Sequence, residues 1–124
     1  MDLAKLKQEV SIGIVGGAGR MGLWAFDLFK DLGYVNLNMY DTRGGTKELA
    51  GERGITDHDS LESLVSSSKI IIVSVPPRVT PDAIHQIGPL MEEDKLFSDF
   101  TSIKEASCNA MASYGSEVVG IHPM

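Results

Sequence analysis

The sequence predicts an α/β fold, an open, doubly wound parallel sheet in a single domain. Three observations predict it. Apolar β-branched stretches alternate with segments of three-to-four helical spacing along the chain. Ser11 to Gly22 joins a short apolar strand to a glycine cluster and then to an amphipathic segment. Lys69 to Val75, Lys-Ile-Ile-Ile-Val-Ser-Val, is the β-branched run of a strand at the centre of a parallel sheet.

Taken in order, residues 1–9 are polar and read as a loose lead-in to a domain spanning 10–124. Val10 to Val15 supplies the first strand. Met21, Trp24, Ala25, Leu28, Phe29 and Leu32 recur at helical spacing as one apolar stripe, so Trp24 is expected in the core, and Gly33 ends that helix. Val35 to Tyr40 is the second strand. A short helix from Thr46 to Arg53, closed by Gly54, precedes a brief third strand near Ile55 and Thr56. Asp59 or Ser60 caps a helix carrying Leu61, Leu64 and Val65, which leads into the central strand. Pro76-Pro77 breaks that strand, Thr80-Pro81 opens the next helix, and Gly88-Pro89 closes it. Leu96 and Phe97 with their neighbours form a short fifth strand ending near Asp99. Ile103 to Tyr114 reads as a helix ended by Gly115, and Glu117 to Ile121 as a sixth strand.

Bulk properties narrow the function. With 124 residues the chain buries one core. Its 11 basic and 17 acidic residues give a net charge of -6 with no basic run, which argues against nucleic acid and anionic membranes as partners. The aliphatic run Ile70 to Val73 is far too short to span a bilayer, and no signal peptide is expected at the N-terminus. Cys108, the single cysteine, has no disulfide or metal-ligand partner; it reads as helix packing and suits a reducing compartment, so the cytoplasm is the expected location.

The chemistry concentrates in the glycine cluster. Gly17-Ala18-Gly19-Arg20-Met21-Gly22 fits the G-x-G-x-x-G of a Rossmann dinucleotide-binding fold: a tight turn, a backbone open to a pyrophosphate, and a close helix–strand approach. The helix that follows offers free N–H groups and its positive dipole end to phosphates. Asp41, about twenty residues on, is placed to accept hydrogen bonds from ribose hydroxyls, with Thr42 and Arg43 beside it. A 2′-phosphate some 4 Å from that carboxylate would be repelled by roughly 4 kcal/mol per unit charge at an effective dielectric near 20, which favours NAD over NADP. Arg43 keeps NADP open, because its guanidinium can neutralise a 2′-phosphate or stack on adenine. The plain alternative for Asp41 is a turn aspartate before Gly44-Gly45.

In a doubly wound sheet the first and fourth strands flank the ligand crevice, so Val75-Pro76-Pro77 is expected to face the glycine turn across a cleft, with Ser74, Val75 and Pro76 expected to contact the cofactor. Ser74 itself reads as a buried strand hydroxyl, since no Gly-x-Ser-x-Gly elbow surrounds it. His58 and His85 read as structural or solvated. His122 follows the sixth strand directly and falls at the ligand edge, where a general base belongs. Ser102 and Lys104 lie just past the fifth strand; Thr101 or Ser102 caps the following helix, or its hydroxyl orients an imidazole. No metal site is expected.

Four stretches together resemble the nucleotide-binding half of the prephenate dehydrogenase family, which includes arogenate dehydrogenases: Ile14 to Gly22, Val73-Ser74-Val75-Pro76, Ser102-Ile103-Lys104 and Gly120-Ile121-His122-Pro123-Met124. The first two are shared with many dehydrogenases, and the last two are far more specific. The resemblance implies an NAD(P)-dependent oxidative decarboxylation of prephenate or arogenate in tyrosine biosynthesis. It implies that His122 accepts a hydrogen bond from the substrate hydroxyl and that Ser102 helps hold substrate and histidine. Family members continue past the His-Pro segment into a helical domain that dimerises and binds the substrate carboxylates. Nothing in the sequence matches that domain, so the expectation is a cofactor domain that turns over prephenate poorly alone, or a subunit completed by another polypeptide. Two other readings are a non-catalytic dinucleotide sensor and a reductase of a related hydroxyacid or imine family.

Overall fold

In the computed structural model the described residues are 3–99 and 117–120. Six strands form one all-parallel sheet: β1 (Ser11–Val15), β2 (Asn36–Tyr40), β3 (Thr56–Asp57), β4 (Ile70–Val73), β5 (Leu96–Asp99) and β6 (Glu117–Gly120). Their order across the sheet is β3-β2-β1-β4-β5-β6. The winding reverses between β1 and β4, where Ile12 to Val15 pair with Ile70 to Val73. The central strand stops at Val73, two residues short of the sequence expectation, because Ser74 to Pro76 turn away above its carboxyl end.

Among the described residues the α-helices are α1 (Leu3–Glu9), α2 (Arg20–Asp31), α3 (Thr46–Arg53), α4 (Leu61–Ser66) and α5 (Thr80–Ile87); the expected helix from Ile103 to Tyr114 lies outside the described residues. Two cores lie on opposite faces of the sheet. On one, Ile12, Ile14, Leu37, Met39 and Ile72 pack against Ala25 and Phe26 of α2 and Ala50 of α3. On the other, Val15, Ile71, Val73 and Phe97 pack against Leu64 and Val65 of α4 and Ile84 and Ile87 of α5. The period-two alternation along β4 therefore feeds both cores, as a strand buried on both faces must. Among the described residues no helix is long and apolar enough to cross a membrane.

Two expectations are corrected. Residues 3–9 form a helix rather than a loose lead-in, although none of its residues is buried. Polar contacts dock it: Lys7 donates to the Leu32 carbonyl and stands 5.8 Å over the Tyr34 ring, and Asn36 donates to the Gln8 carbonyl. Trp24 is not in the core. It is 46% exposed, and Met21, Leu28 and Leu32 are exposed with it. The buried line of α2 runs instead through Gly22, Ala25 and Phe26, because Gly22 brings the helix against the backbone of the turn that leaves β1. Asp27 pairs with Arg53 of α3 at 2.8 Å and Lys30 donates to the Arg53 carbonyl at 2.7 Å.

Candidate dinucleotide site

The exit of β1 is held from both neighbouring strands. The Gly16 amide donates to the Tyr40 carbonyl at 2.7 Å, and the Ser74 amide donates to the Val15 carbonyl at 2.8 Å. The sharp turn is made at Gly16, which has φ +82°, a conformation that glycine adopts without steric cost. The sequence reading gave that task to Gly17, and Gly16 went unassigned; the residue directly after the last aliphatic of β1 was the available signal. Gly17 serves packing, since a Cβ there would lie 2.8 Å from the Phe26 ring and 2.9 Å from Met39. A Cβ on Gly22 would lie 2.7 Å from the Gly17 backbone, so the third glycine permits the close helix–turn approach expected of it.

Gly19 is the N-cap of α2, and no side chain caps the helix or places an acidic group in its first turn. The backbone beginning Arg20-Met21-Gly22 thus carries the partial positive charge of a helix start with no acidic residue of its own first turn to offset it. Asp41 ties this turn to the end of β2. One carboxylate oxygen accepts the Ala18 amide at 3.0 Å, the other accepts the Arg43 amide at 2.9 Å, and the Arg43 side chain approaches at 3.8 Å. The Asp41 side chain is only 6% exposed while that of Arg43 is 59% exposed. Arg43 reaches back over the glycine turn, where a Cβ on Gly19 would lie 3.4 Å from its guanidinium.

A cleft of about 500 Å³ opens beside this corner. Val15 and Gly16 form its floor, and Tyr40 to Arg43 form one wall. Ser74, Val75 and Pro76 form the opposite wall, as the position of the winding reversal required. Ser74 is partly exposed and beyond the strand, which corrects the reading of a buried strand hydroxyl. The outer wall was not foreseen: Leu61 of α4 with Val79, Asp82, Ala83 and Gln86 at the start of α5. Pro76-Pro77 was the available signal, since a chain broken just past a strand end leaves the next helix to start beside the crevice.

His58 is structural, as expected. Its ring nitrogens lie 2.7 Å from Ser63 Oγ and 2.8 Å from Asn38 Oδ1. His85 is exposed on α5. Among the described residues no cluster of His, Cys, Asp or Glu can hold a metal ion. The expectations for Ser102, Cys108 and His122 lie outside the described residues.

An open parallel sheet ordered 3-2-1-4-5-6, with a glycine turn at the switch point and a carboxylate closing β2, defines a nucleotide-binding Rossmann domain. Residues 27–124 match the family described as prephenate dehydrogenase, nucleotide-binding domain, and the chain belongs to that family. It is 32% identical over 120 residues to a probable arogenate/prephenate dehydrogenase of Methanocaldococcus jannaschii, covering 94% of this chain and 27% of that protein. Among solved structures, Synechocystis arogenate dehydrogenase aligns with a TM-score of 0.80 at 21% identity, covering 92% of this chain and 41% of that one. Prephenate dehydrogenase from A. aeolicus, in complex with hydroxyphenyl propionate and NAD+, aligns at 0.76 and 20% identity, covering 94% and 42%. The chain spans about a quarter of the length of the curated relatives it matches.

Proposed function

We propose that this chain is the NAD-binding domain of a dehydrogenase that oxidatively decarboxylates prephenate or arogenate. The observation that carries the reading is the corner where Asp41 fastens the glycine turn to β2 beside an uncapped helix start. The residues fit a dinucleotide. Gly17 to Gly22 present backbone to a pyrophosphate, and Asp41 stands at the ribose position. Its negative charge disfavours a 2′-phosphate, whereas Arg43, half-exposed above the turn, offers a partner to an adenine ring or to that phosphate. The weight of the buried carboxylate favours NAD.

Bound there, a nicotinamide would accept the hydride from the ring carbon bearing the substrate hydroxyl. By the family resemblance, His122 would accept the hydroxyl's hydrogen bond and assist its deprotonation, and Ser102 would hold substrate and imidazole in register. Groups for the substrate carboxylates would come from a helical domain or partner subunit of the kind the family carries. The cytoplasm is the matching location for such an enzyme.

Thermal unfolding with NAD, with NADP and with neither tests the cofactor assignment. A ligand at 100 times its dissociation constant adds about 2.7 kcal/mol, several degrees of midpoint in a domain of this size. The expected shift is larger with NAD than with NADP. No shift with either at millimolar concentration would overturn the assignment.

A further inference from the structure

The outer wall of the cleft has a chemistry that the phosphate and ribose contacts leave unused. Val75, Pro76, Val79, Ala83 and Leu61 offer an apolar slot, and Asp82 and Gln86 stand at its rim. Asp82 and Gln86 are four residues apart on α5, so they share one helix face, and both are solvent-accessible. Neither side chain is part of the core, since α5 packs through Thr80, Ile84 and Ile87, although Asp82 also supports the first turn of the helix. A flat heterocycle attached to a ribose at Asp41 would lie against the apolar residues with its edge toward these two.

We infer that Asp82 and Gln86 read the edge of the cofactor's purine and select a 6-amino over a 6-oxo base. The inference rests on the dinucleotide reading above. An ionised aspartate only accepts hydrogen bonds, so it pairs with the amine of adenine and opposes the carbonyl oxygen of hypoxanthine. Gln86 is adaptable: its amide accepts from the adenine amine and donates to the neighbouring ring nitrogen, or turns over to serve the opposite pattern. Discrimination therefore belongs to Asp82, and Gln86 adds affinity to either base.

The experiment is calorimetric titration of the full chain with NAD and with its hypoxanthine analogue, whose 6-amino group is replaced by oxygen. The unmodified chain is expected to bind NAD about tenfold more tightly, the scale of one lost and one opposed hydrogen bond. In Asp82→Asn, whose amide can turn over, the two affinities should converge to within about twofold, chiefly through a gain for the analogue. Gln86→Leu should weaken both ligands while preserving their ratio. Equal binding by the unmodified chain, or an unchanged ratio in Asp82→Asn, overturns the base-reading role and leaves the dinucleotide assignment standing. Binding of neither ligand overturns both.

Discussion

Asp41 shows how one side chain can serve structure and recognition together. Its two oxygens already accept the amides of Ala18 and Arg43, so the carboxylate is a clasp between two loops in addition to the ribose role proposed for it. A hydrogen bond to a charged group is worth about 1.5–3 kcal/mol, and without the carboxylate the part-buried Ala18 amide loses its partner while the exposed Arg43 amide can turn to water. Asp41→Ala is expected to lose about 2 kcal/mol of stability in urea denaturation. It should also weaken NAD more than NADP in titrations; equal loss for both would undo the ribose assignment. The clasp was not legible in the sequence. Spacing identified an acidic residue at the end of β2 and favoured a ligand for it, while the pairing with Ala18 depends on how the turn after Gly16 folds back.

A second carboxylate gives a pH effect with a definite sign. The Lys69 ammonium, hydrogen-bonded to Asp94 at 2.8 Å, holds its carboxyl below the usual value of 3.8. The folded state therefore favours the ionised form. The contribution is fully present above the unfolded pKa and is lost as pH falls through the lower folded one. Lys69→Ala should return the Asp94 titration, followed by NMR, toward its ordinary position. An unmoved titration would show that the pair does not persist in solution.

At the scale of an element, α2 separates what periodicity reveals from what it hides. Helical spacing correctly located the helix, yet it misplaced the buried face, because apolar residues extend well beyond the buried arc. Gly22 holds the information: the point of closest approach fixes which residues turn inward, and these are Ala25 and Phe26 rather than Trp24. Phe26→Ala should cost about 3–5 kcal/mol, whereas Trp24→Ala should cost under about 1 kcal/mol. Chemical denaturation of the two variants checks the contrast, and similar losses would contradict the geometry. The first helix, α1, was missed for the complementary reason. With Leu3 and Leu6 exposed, it has no buried face for a pattern to report.

For the molecule as a whole, the strand order was legible because crossover handedness leaves few ways to arrange alternating strands and helices. That order placed Val75 and Pro76 across the cleft from the end of β1 with no side-chain information at all. The outer wall was not legible. Asp82 and Gln86 are the kind of residues any solvent face carries, and only their position beside the break at Pro76-Pro77 brings them to the cleft.

The clasp on Ala18 has a kinetic consequence. A glycine-rich turn left free in solution would sample many shapes, and an arriving phosphate would have to wait for, or impose, the right one. Here the protein's own hydrogen bonds fasten Gly16 to Tyr40 and Ala18 to Asp41. Little conformational freedom remains to be surrendered on docking, so encounter and capture become nearly the same event, and the lifetime of the complex is left to the contacts formed.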